Sequence, residues 1–476
     1  MDSGYSKNCS STSNLNKDVL SEVFGHLDYE ELVQCEAVCR RWREILQSGP
    51  IWKRWFQKQL ALSPSWREIW KKMAIDANAL EPTDYRAICR DTFRQVKELN
   101  NNWCTGQFVT RNTLLHLLPS DFAYSFHFYD DWIAVHTTDF NQDSDSDTDY
   151  NSRMMTTYLQ YFMKNSSHAT ECITIPPDHD FRCTDESYLI CSLDSKINIF
   201  DRRIGKFTVQ INSDDDHLNI ECATLYNGLL GILYRYNGRF LLSVWNVENP
   251  SRIALLKQFK FDVRYRSSLS SPVPVSIAID EQFIVVKGYV YVPKGPVKTH
   301  QGIWTKRRKE PVEKPPVVVA HFISTRTLEV KRSLTVDAEM AVYDKGLLFV
   351  LINERVQIYD VSSGIFYRHL ILHKNASDWG FSREFQVSVN SKYVTILYEA
   401  KSGRNRWKTM LRVYKLEALK NFDADPNSLL LTPIENDSGP LSMMMDETRI
   451  VICSVPCIES NKGAVFVLDF SPSQTQ

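Results

Sequence analysis

The chain has 476 residues, 43% of them hydrophobic and 12% aromatic, which is long enough for two or three domains and too apolar for wholesale disorder. Its 56 basic and 57 acidic residues give a net charge of −1, which excludes a chain-wide electrostatic footprint for nucleic acid. There is no run of eighteen apolar residues, no signal-like opening, and no CxxC spacing among the eleven cysteines. We therefore expect reduced thiols, no membrane contact, no nucleic-acid partner, and a location in the cytoplasm, the nucleus or both.

Residues 15–55 carry three short helical patterns and the start of a fourth. The first pattern follows a capping Asn16, and its apolar positions recur at helical spacing: Val19, Leu20, Val23, Phe24 and Leu27. Asp28 with Glu31 is a capping-box pattern that starts a second helix, and the third helix ends at Gly49-Pro50. A unit of about forty residues cannot bury so much apolar surface alone. The pattern predicts a docking module; the alternative is an ordinary small helical domain whose apolar stripes face one another.

This stretch resembles the F-box family in its HLDYEEL centre, its AVCRRW third helix and its IWK close. The family usually opens with Leu-Pro, whereas this chain has Leu15-Asn16, which predicts a changed entry angle rather than lost binding. F-box domains dock onto a Skp-type adaptor, which links them to a cullin and a RING subunit. The resemblance implies adaptor contacts from Leu15, Val19, Val23, Phe24, Leu27, Leu32, Val38, Cys39, Trp42 and Ile45. Some of these side chains must instead hold the helices together, and the sequence does not sort them.

Apolar residues continue to recur at helical spacing beyond the F-box-like stretch. Residues 1–12 are predicted to be a disordered tail, 13–60 the F-box domain and 61–102 a helical linker. Within the linker, apolar residues recur at i, i+3, i+4 and i+7: Trp66, Ile69, Trp70 and Met73.

From residue 103 to 471 the pattern changes to short β-rich runs separated by turn residues. A unit of several strands recurs, most clearly at 188–211 and 347–372, with most intervals near 45 to 55 residues. We count seven units, the last of which is short of a strand that residues near 106–118 are predicted to supply. These repeats resemble a degenerate WD-repeat β-propeller, since Gly-His and most Trp-Asp pairs are missing. A pair of β-sandwiches is the alternative, and 472–476 are a tail. The predicted fold class is multidomain, α followed by all-β.

Two loops carry concentrated charge. The acidic run DSDSDTD at 143–149 is a solvated loop or a phosphorylation site at Ser144, Ser146 or Thr148. The insertion at 293–316 holds a basic run at 306–309 beside Trp304, and a mobile loop is its default interpretation.

No nucleotide-binding, metal-ligand or nucleophile motif is present, so we expect no catalytic residue, no metal and no cofactor. The resemblance implies a substrate-recognition subunit of a Skp–cullin–F-box ubiquitin ligase that binds a protein substrate on its propeller for proteasomal degradation. The alternative is an adaptor-binding scaffold without ligase activity. An enzyme is the third and weakest reading, and the substrate-binding residues stay unknown.

Overall fold

The structure is a computed structural model of the chain. It describes residues 16–73, 80–81, 84–116, 121–128, 132–140, 155–163, 168–176, 179–212, 218–236, 239–249, 252–261, 275–290, 317–338, 340–352, 355–372, 381–401, 407–421, 428–434, 440–454 and 462–472. The predicted tail at 1–12, residues 473–476 of the predicted tail at 472–476, and the charged loops at 143–149 and 293–316 lie outside these residues.

The described residues before 106 form six helices. They are Lys17–Gly25 (α1), Tyr29–Val38 (α2), Arg40–Gln47 (α3), Pro50–Leu62 (α4), Pro64–Met73 (α5) and Asp84–Thr105 (α6).

The starts of these helices follow from local chemistry. Asn16 is the N-cap of α1, where its side chain accepts a hydrogen bond from the Asp18 amide at 3.2 Å. Asp28 and Glu31 form the predicted capping box at the start of α2, with hydrogen bonds of 2.8 and 2.9 Å. Gly49 has a φ of 89°, a conformation that favours glycine, and it turns the chain into α4 at Pro50. Both capping predictions are confirmed.

One compact unit contains the helices together with two short segments from the end of the chain. It comprises the described residues of Met1–Val109, Glu447–Arg449 and Leu468–Gln476. Trp103, which is 2% exposed, stacks on Phe470 with ring centroids 3.8 Å apart. Its indole N–H donates to the Glu447 carbonyl at 2.9 Å. We call this set of residues the helical unit.

The predicted domain boundaries differ from those of the helical unit. The limit drawn between residues 60 and 61 falls inside α4, and the limit between 102 and 103 falls inside α6. Sequence reading placed Trp103 at the start of the β-rich part, but its packing partners come from residues 447 and 470. Such long-range packing leaves no signal in the local periodicity around Trp103.

The second compact unit comprises the described residues of Thr110–Asp446 and Ile450–Val467. Blade 1 contains Asp121–Phe128 (β2), Trp132–Phe140 (β3), Met155–Met163 (β4) and Glu171–Ile175 (β5). Blade 2 contains Asp180–Thr184 (β6), Tyr188–Leu193 (β7), Lys196–Asp201 (β8) and Lys206–Ile211 (β9). Blade 3 contains Asn219–Tyr226 (β10), Leu229–Tyr236 (β11), Arg239–Asn246 (β12) and Ala254–Phe261 (β13). Blade 4 contains Val275–Ile279 (β14), Phe283–Val290 (β15), Val317–Ser324 (β16) and Val330–Asp337 (β17).

The remaining sheets continue the series. Blade 5 contains Met340–Asp344 (β18), Leu347–Ile352 (β19), Arg355–Asp360 (β20) and Phe366–Ile371 (β21). Blade 6 contains Phe381–Val389 (β22), Tyr393–Lys401 (β23), Trp407–Lys415 (β24) and Leu430–Ile434 (β25), with the short helix Leu416–Lys420 (α7) after β24. Blade 7 contains Pro440–Met445 (β26), Arg449–Ser454 (β27), Lys462–Asp469 (β28) and the early strand Val109–His116 (β1).

Blades 1 to 6 are meanders of four consecutive strands, and first strands of neighbouring sheets contact one another, as β6 does β10, β10 does β14, β18 does β22 and β22 does β26. The contact between β2 and β26 joins the first sheet to the last, and β1 lies at the edge of blade 7 beside β28. This arrangement is a seven-bladed β-propeller, as the repeats predicted. The β-sandwich alternative was wrong because the strands divide into seven separate sheets.

The two clearest repeats in the sequence, residues 188–211 and 347–372, lie in blades 2 and 5 and form regular strands. In β7 and β19, every residue except the last is buried. Second strands are covered by the adjacent blades on both faces, and therefore read as continuous apolar runs rather than alternating ones.

Two half-buried histidines make a pH-dependent contribution to propeller stability. His127 and His136 pack on Phe181 with ring centroids 5.0 and 4.7 Å away. Burial lowers the pKa of each to about 4; the neighbouring ring lowers the His127 value further, and Asp180 partly offsets the shift at His136.

Because the unfolded histidines titrate near 6.5, acidification favours the unfolded chain between pH 6.5 and 4. We expect the free energy of unfolding to fall by about 2–4 kcal/mol over this interval. The double variant His127→Gln/His136→Gln should flatten the loss, measured as the thermal midpoint by circular dichroism from pH 7 to 4. His168→Gln, at an exposed histidine, serves as the control; an equal flattening by this control would contradict the assignment.

Candidate functional site

The core of the first three helices is formed by one face of each helix. Phe24 of α1 is 1% exposed and meets the half-buried Trp42 of α3 edge-on, with ring centroids 5.3 Å apart. Trp55 of α4 donates its indole N–H to the Leu27 carbonyl at 3.1 Å, which fixes the end of α1. These contacts bury apolar area on the side of α1 that faces α3 and α4.

The structure sorts the predicted adaptor residues into three groups. Leu15 lies outside the described residues. Phe24, Leu32 and Ile45 are buried and belong to the helical core, and Leu27 and Trp42 are half-buried. The exposed members are Val19, Val23, Val38 and Cys39. Whether any of them contacts an adaptor stays a prediction.

Val19, Val23 and Val38 are 47%, 50% and 62% exposed, an unusual state for three valines in so small a region. Val33 of α2, which the predicted site omitted, is 43% exposed as well. Val33 lies about 100° around α2 from the buried Leu32, so the packing that buries one side chain leaves the other exposed. The sequence holds no signal that separates the two, because adjacent apolar residues such as Ile45 and Leu46 are both buried elsewhere in the unit. We call Val19, Val23, Val33 and Val38 the exposed valines.

The exposed valines remain uncovered although three more helices pack in the same unit. Glu36 of α2 is 8% exposed and accepts hydrogen bonds from Arg86 of α6 at 2.7 and 2.5 Å. Tyr29 stacks on Phe93 of α6 with centroids 4.3 Å apart. The predicted linker is therefore integral to the helical unit, and its contacts with α2 leave Val33 and Val38 exposed.

Removing the carboxylate of Glu36 tests how much its ion pair with Arg86, which joins α2 to α6, stabilises the helical unit. Glu36→Ala leaves Arg86 without its bidentate partner, but the Arg86 side chain is 47% exposed and water replaces part of the interaction. We expect a loss of about 1–2 kcal/mol in urea unfolding followed by circular dichroism. Glu44→Ala breaks the exposed pair with Arg40 and should change stability by less than about 0.5 kcal/mol. If the two variants lost equal stability, the partly buried Glu36–Arg86 pair would contribute no more than the exposed Arg40–Glu44 pair, which would contradict the prediction.

The exposed members of the candidate site are four valines and the Cys39 thiol. Aliphatic side chains neither transfer protons nor attack substrates. In the part of the chain that the structure describes, no group of three His, Cys, Asp or Glu side chains is arranged to hold a metal ion. None of the described helices is both long enough and apolar enough to cross a membrane. Exposed aliphatic side chains of this kind are suited to burial against another polypeptide.

Part of the helical unit matches a known protein family, and part of the chain is similar to a known protein. Residues 17–58 match the F-box-like family model. The chain is 21% identical over 123 residues to F-box and WD repeat domain-containing 11-A of Danio rerio, a match that covers 24% of this chain and 22% of that relative. The chain thus spans about a fifth of the length of this curated relative.

Solved β-propellers are similar at lower identity. The Cps50 (Swd1) β-propeller domain of Myceliophteria thermophila has a TM-score of 0.42 and 8% identity, covering 75% of this chain and 99% of that one. The RRP9 WD40 repeats have a TM-score of 0.44 and 10% identity, covering 75% and 97%.

The chain therefore combines N-terminal helices with a seven-bladed β-propeller. The helices include an F-box-like domain at residues 17–58, and the chain is related to an F-box/WD-repeat protein. F-box domains generally bind Skp1-type adaptors, and this architecture fits an F-box substrate receptor.

Proposed function

We propose that this protein is the substrate-recognition subunit of a Skp–cullin–F-box ubiquitin ligase. The F-box-like domain docks on the Skp-type adaptor through the exposed valines and Cys39, and the adaptor brings the cullin and the RING subunit. The propeller binds a protein substrate, which is ubiquitinated and degraded by the proteasome, in the cytoplasm, the nucleus or both. The supporting observation is an F-box-like domain with uncovered valines on the same chain as a seven-bladed propeller.

The protein's contribution is proximity rather than bond chemistry. Holding a substrate near the ubiquitin-charged enzyme of the complex converts an encounter between separate molecules into an effectively intramolecular one. Effective concentrations on the order of millimolar follow from tethering of this kind. No residue of this chain needs to donate a proton or form a covalent intermediate, so the proposed role is non-catalytic.

The proposal is tested by co-expressing the full chain with a Skp-type adaptor, a cullin and a RING subunit. A four-protein complex on size-exclusion chromatography is the expected result. Its captured proteins should receive ubiquitin when activating and conjugating enzymes are added. Adaptor binding without the cullin would support the scaffold alternative, and absence of adaptor binding would refute both.

Substrates are identified by comparing proteins captured under proteasome inhibition with those whose half-lives lengthen when adaptor docking is blocked. Deleting residues 1–60 is unsuitable for this purpose, because it removes the buried residues Trp52, Trp55 and Phe56 of α4. Surface substitutions in α1, described in the Discussion, block docking without removing core residues.

A further inference from the structure

Exposed apolar side chains in the propeller unit are concentrated at one kind of turn. Among its described residues, eight large apolar side chains are exposed, and six of them lie where the third strand of a blade turns into the fourth in blades 2 to 5. Their exposed fractions range from 38% to 55%: Ile204, Phe207, Leu255, Leu256, Val330 and Ile365. We call these residues and their turns the outer-turn rim.

The topology places these turns on one face of the propeller. Strands within each sheet of blades 2 to 5 are consecutive and antiparallel, so the turn after the third strand is at the same end of each of these sheets. Because the sheets are arranged alike around one ring, the turns of blades 2 to 5 follow one another along a single edge.

Polar contacts join the first two of these turns. Arg203 in the turn of blade 2 donates to the Tyr188 hydroxyl at 3.0 Å. That hydroxyl donates to the Glu248 carbonyl in the turn of blade 3, also at 3.0 Å. The turns of blades 2 and 3 are therefore held in a fixed relation.

Further contacts carry the connection to blade 5. Lys257, next to Leu256 on β13, donates to the Leu328 carbonyl in the turn of blade 4 at 2.6 Å. The Arg332 guanidinium of β17 occupies the place where a β-carbon on Gly364 would lie, in the turn of blade 5. Gly364 has a φ of +71°, so glycine is favoured there both by backbone conformation and by this contact. The rim is thus a continuous surface across four blades rather than scattered side chains.

The charge of the rim indicates what kind of partner would bind to it. Residues 202–207, 247–249, 252–257, 325–332 and 361–366 of the described chain contain eight basic and two acidic residues. Three of the basic side chains are ion-paired, Arg202 with Glu171, Arg203 with Asp201 and Lys331 with Glu329, so the excess of positive charge comes from the other five. Apolar side chains interleaved with an excess of positive charge match a partner that is both apolar and acidic.

The shape of the rim distinguishes a protein from a lipid surface. None of its apolar side chains is more than 55% exposed, so each is already packed in part against the propeller. Membrane binding depends on apolar side chains that enter the acyl boundary, whereas a protein partner requires only a surface to pack against. The short turns, such as 202–205, offer no protruding element for insertion.

We propose that the outer-turn rim is a second docking surface, for a protein segment that carries acidic residues beside aliphatic or aromatic ones. This inference deepens the proposed function and rests on it, because that function assigns a protein substrate to the propeller without naming a surface; the rim needs no adaptor to bind, so the two are tested separately. It concerns blades 2 to 5 and assigns no role to the loops outside the described residues.

A random peptide library displayed on phage, selected on the full-length protein, tests the proposal. Two variants in the same blade provide a matched comparison. Ile365→Asp changes a rim side chain that is 53% exposed, and Ile371→Asp changes one that is 55% exposed at the far end of β21. We expect enriched peptides to be net acidic and rich in apolar residues. They should bind Ile365→Asp and Leu255→Asp about tenfold more weakly than wild type, and Ile371→Asp as well as wild type.

Several outcomes would overturn the proposal. These are enrichment without acidic bias, equal loss in Ile365→Asp and Ile371→Asp, or no enrichment at all. Sedimentation with phosphatidylserine vesicles that Ile365→Asp abolishes would assign the rim to lipid instead. Substitution of Val19 and Val23 in α1 should leave peptide binding unchanged, so failure of adaptor docking and failure of rim binding are read out separately.

Discussion

Replacing Trp103 by alanine is expected to destabilise the helical unit by about 3–5 kcal/mol. Trp103 is 2% exposed and stacks on Phe470 with their ring planes 9° apart. Its indole N–H donates to the Glu447 carbonyl, so the substitution both opens a cavity and removes this hydrogen bond. The loss should appear in urea unfolding of the full chain followed by far-ultraviolet circular dichroism.

Trp103→Phe is the matched control. It keeps an aromatic ring against Phe470 and removes the hydrogen bond to Glu447, so a smaller loss of about 1–2 kcal/mol is expected. If alanine cost no more than phenylalanine, the stack on Phe470 would not contribute to stability as inferred.

The second large effect is on adaptor binding. The double variant Val19→Asp/Val23→Lys should weaken binding to a Skp-type adaptor by about 100-fold, because two charges replace side chains proposed to be buried in the complex. Both valines are about half exposed in the free chain, so the fold loses little contact area. Isothermal calorimetry or a co-purification titration with the adaptor measures the change.

The charges are chosen to preserve α1. Aspartate at 19 lies in the first turn of the helix and lysine at 23 near its last turn, where each complements the helix dipole. The two substituted residues are also four apart, a spacing at which opposite charges attract. Substitution of Trp42 would be less informative, since its contact with Phe24 belongs to the core.

Val330→Asp is the control for a new charge at an exposed valine. Val330 is 47% exposed, the same fraction as Val19, but lies on blade 4. It should bind the adaptor like wild type. Wild-type affinity in the Val19→Asp/Val23→Lys variant, with its circular dichroism unchanged, would remove the exposed valines from the proposed interface.

Local signals in the sequence were sufficient for the helix starts and for the β-rich repeats. Asn16 and the Asp28–Glu31 pair act over three residues, so the sequence alone identifies them. Seven blades were countable because second strands such as β7 and β19 are continuous apolar runs. The F-box-like motif likewise depends on residues close together in the chain.

The tertiary structure decides which of the apolar residues in the helices are buried and which are exposed. The sequence presents Leu32 and Val33 as equivalent, but packing against other helices buries the first and leaves the second 43% exposed. The boundary at Trp103 and the joined turns of the outer-turn rim involve residues far apart in the chain, such as Phe470, or Lys257 with Leu328. Composition and periodicity report only on neighbours along the chain, so these features required the positions of the folded elements.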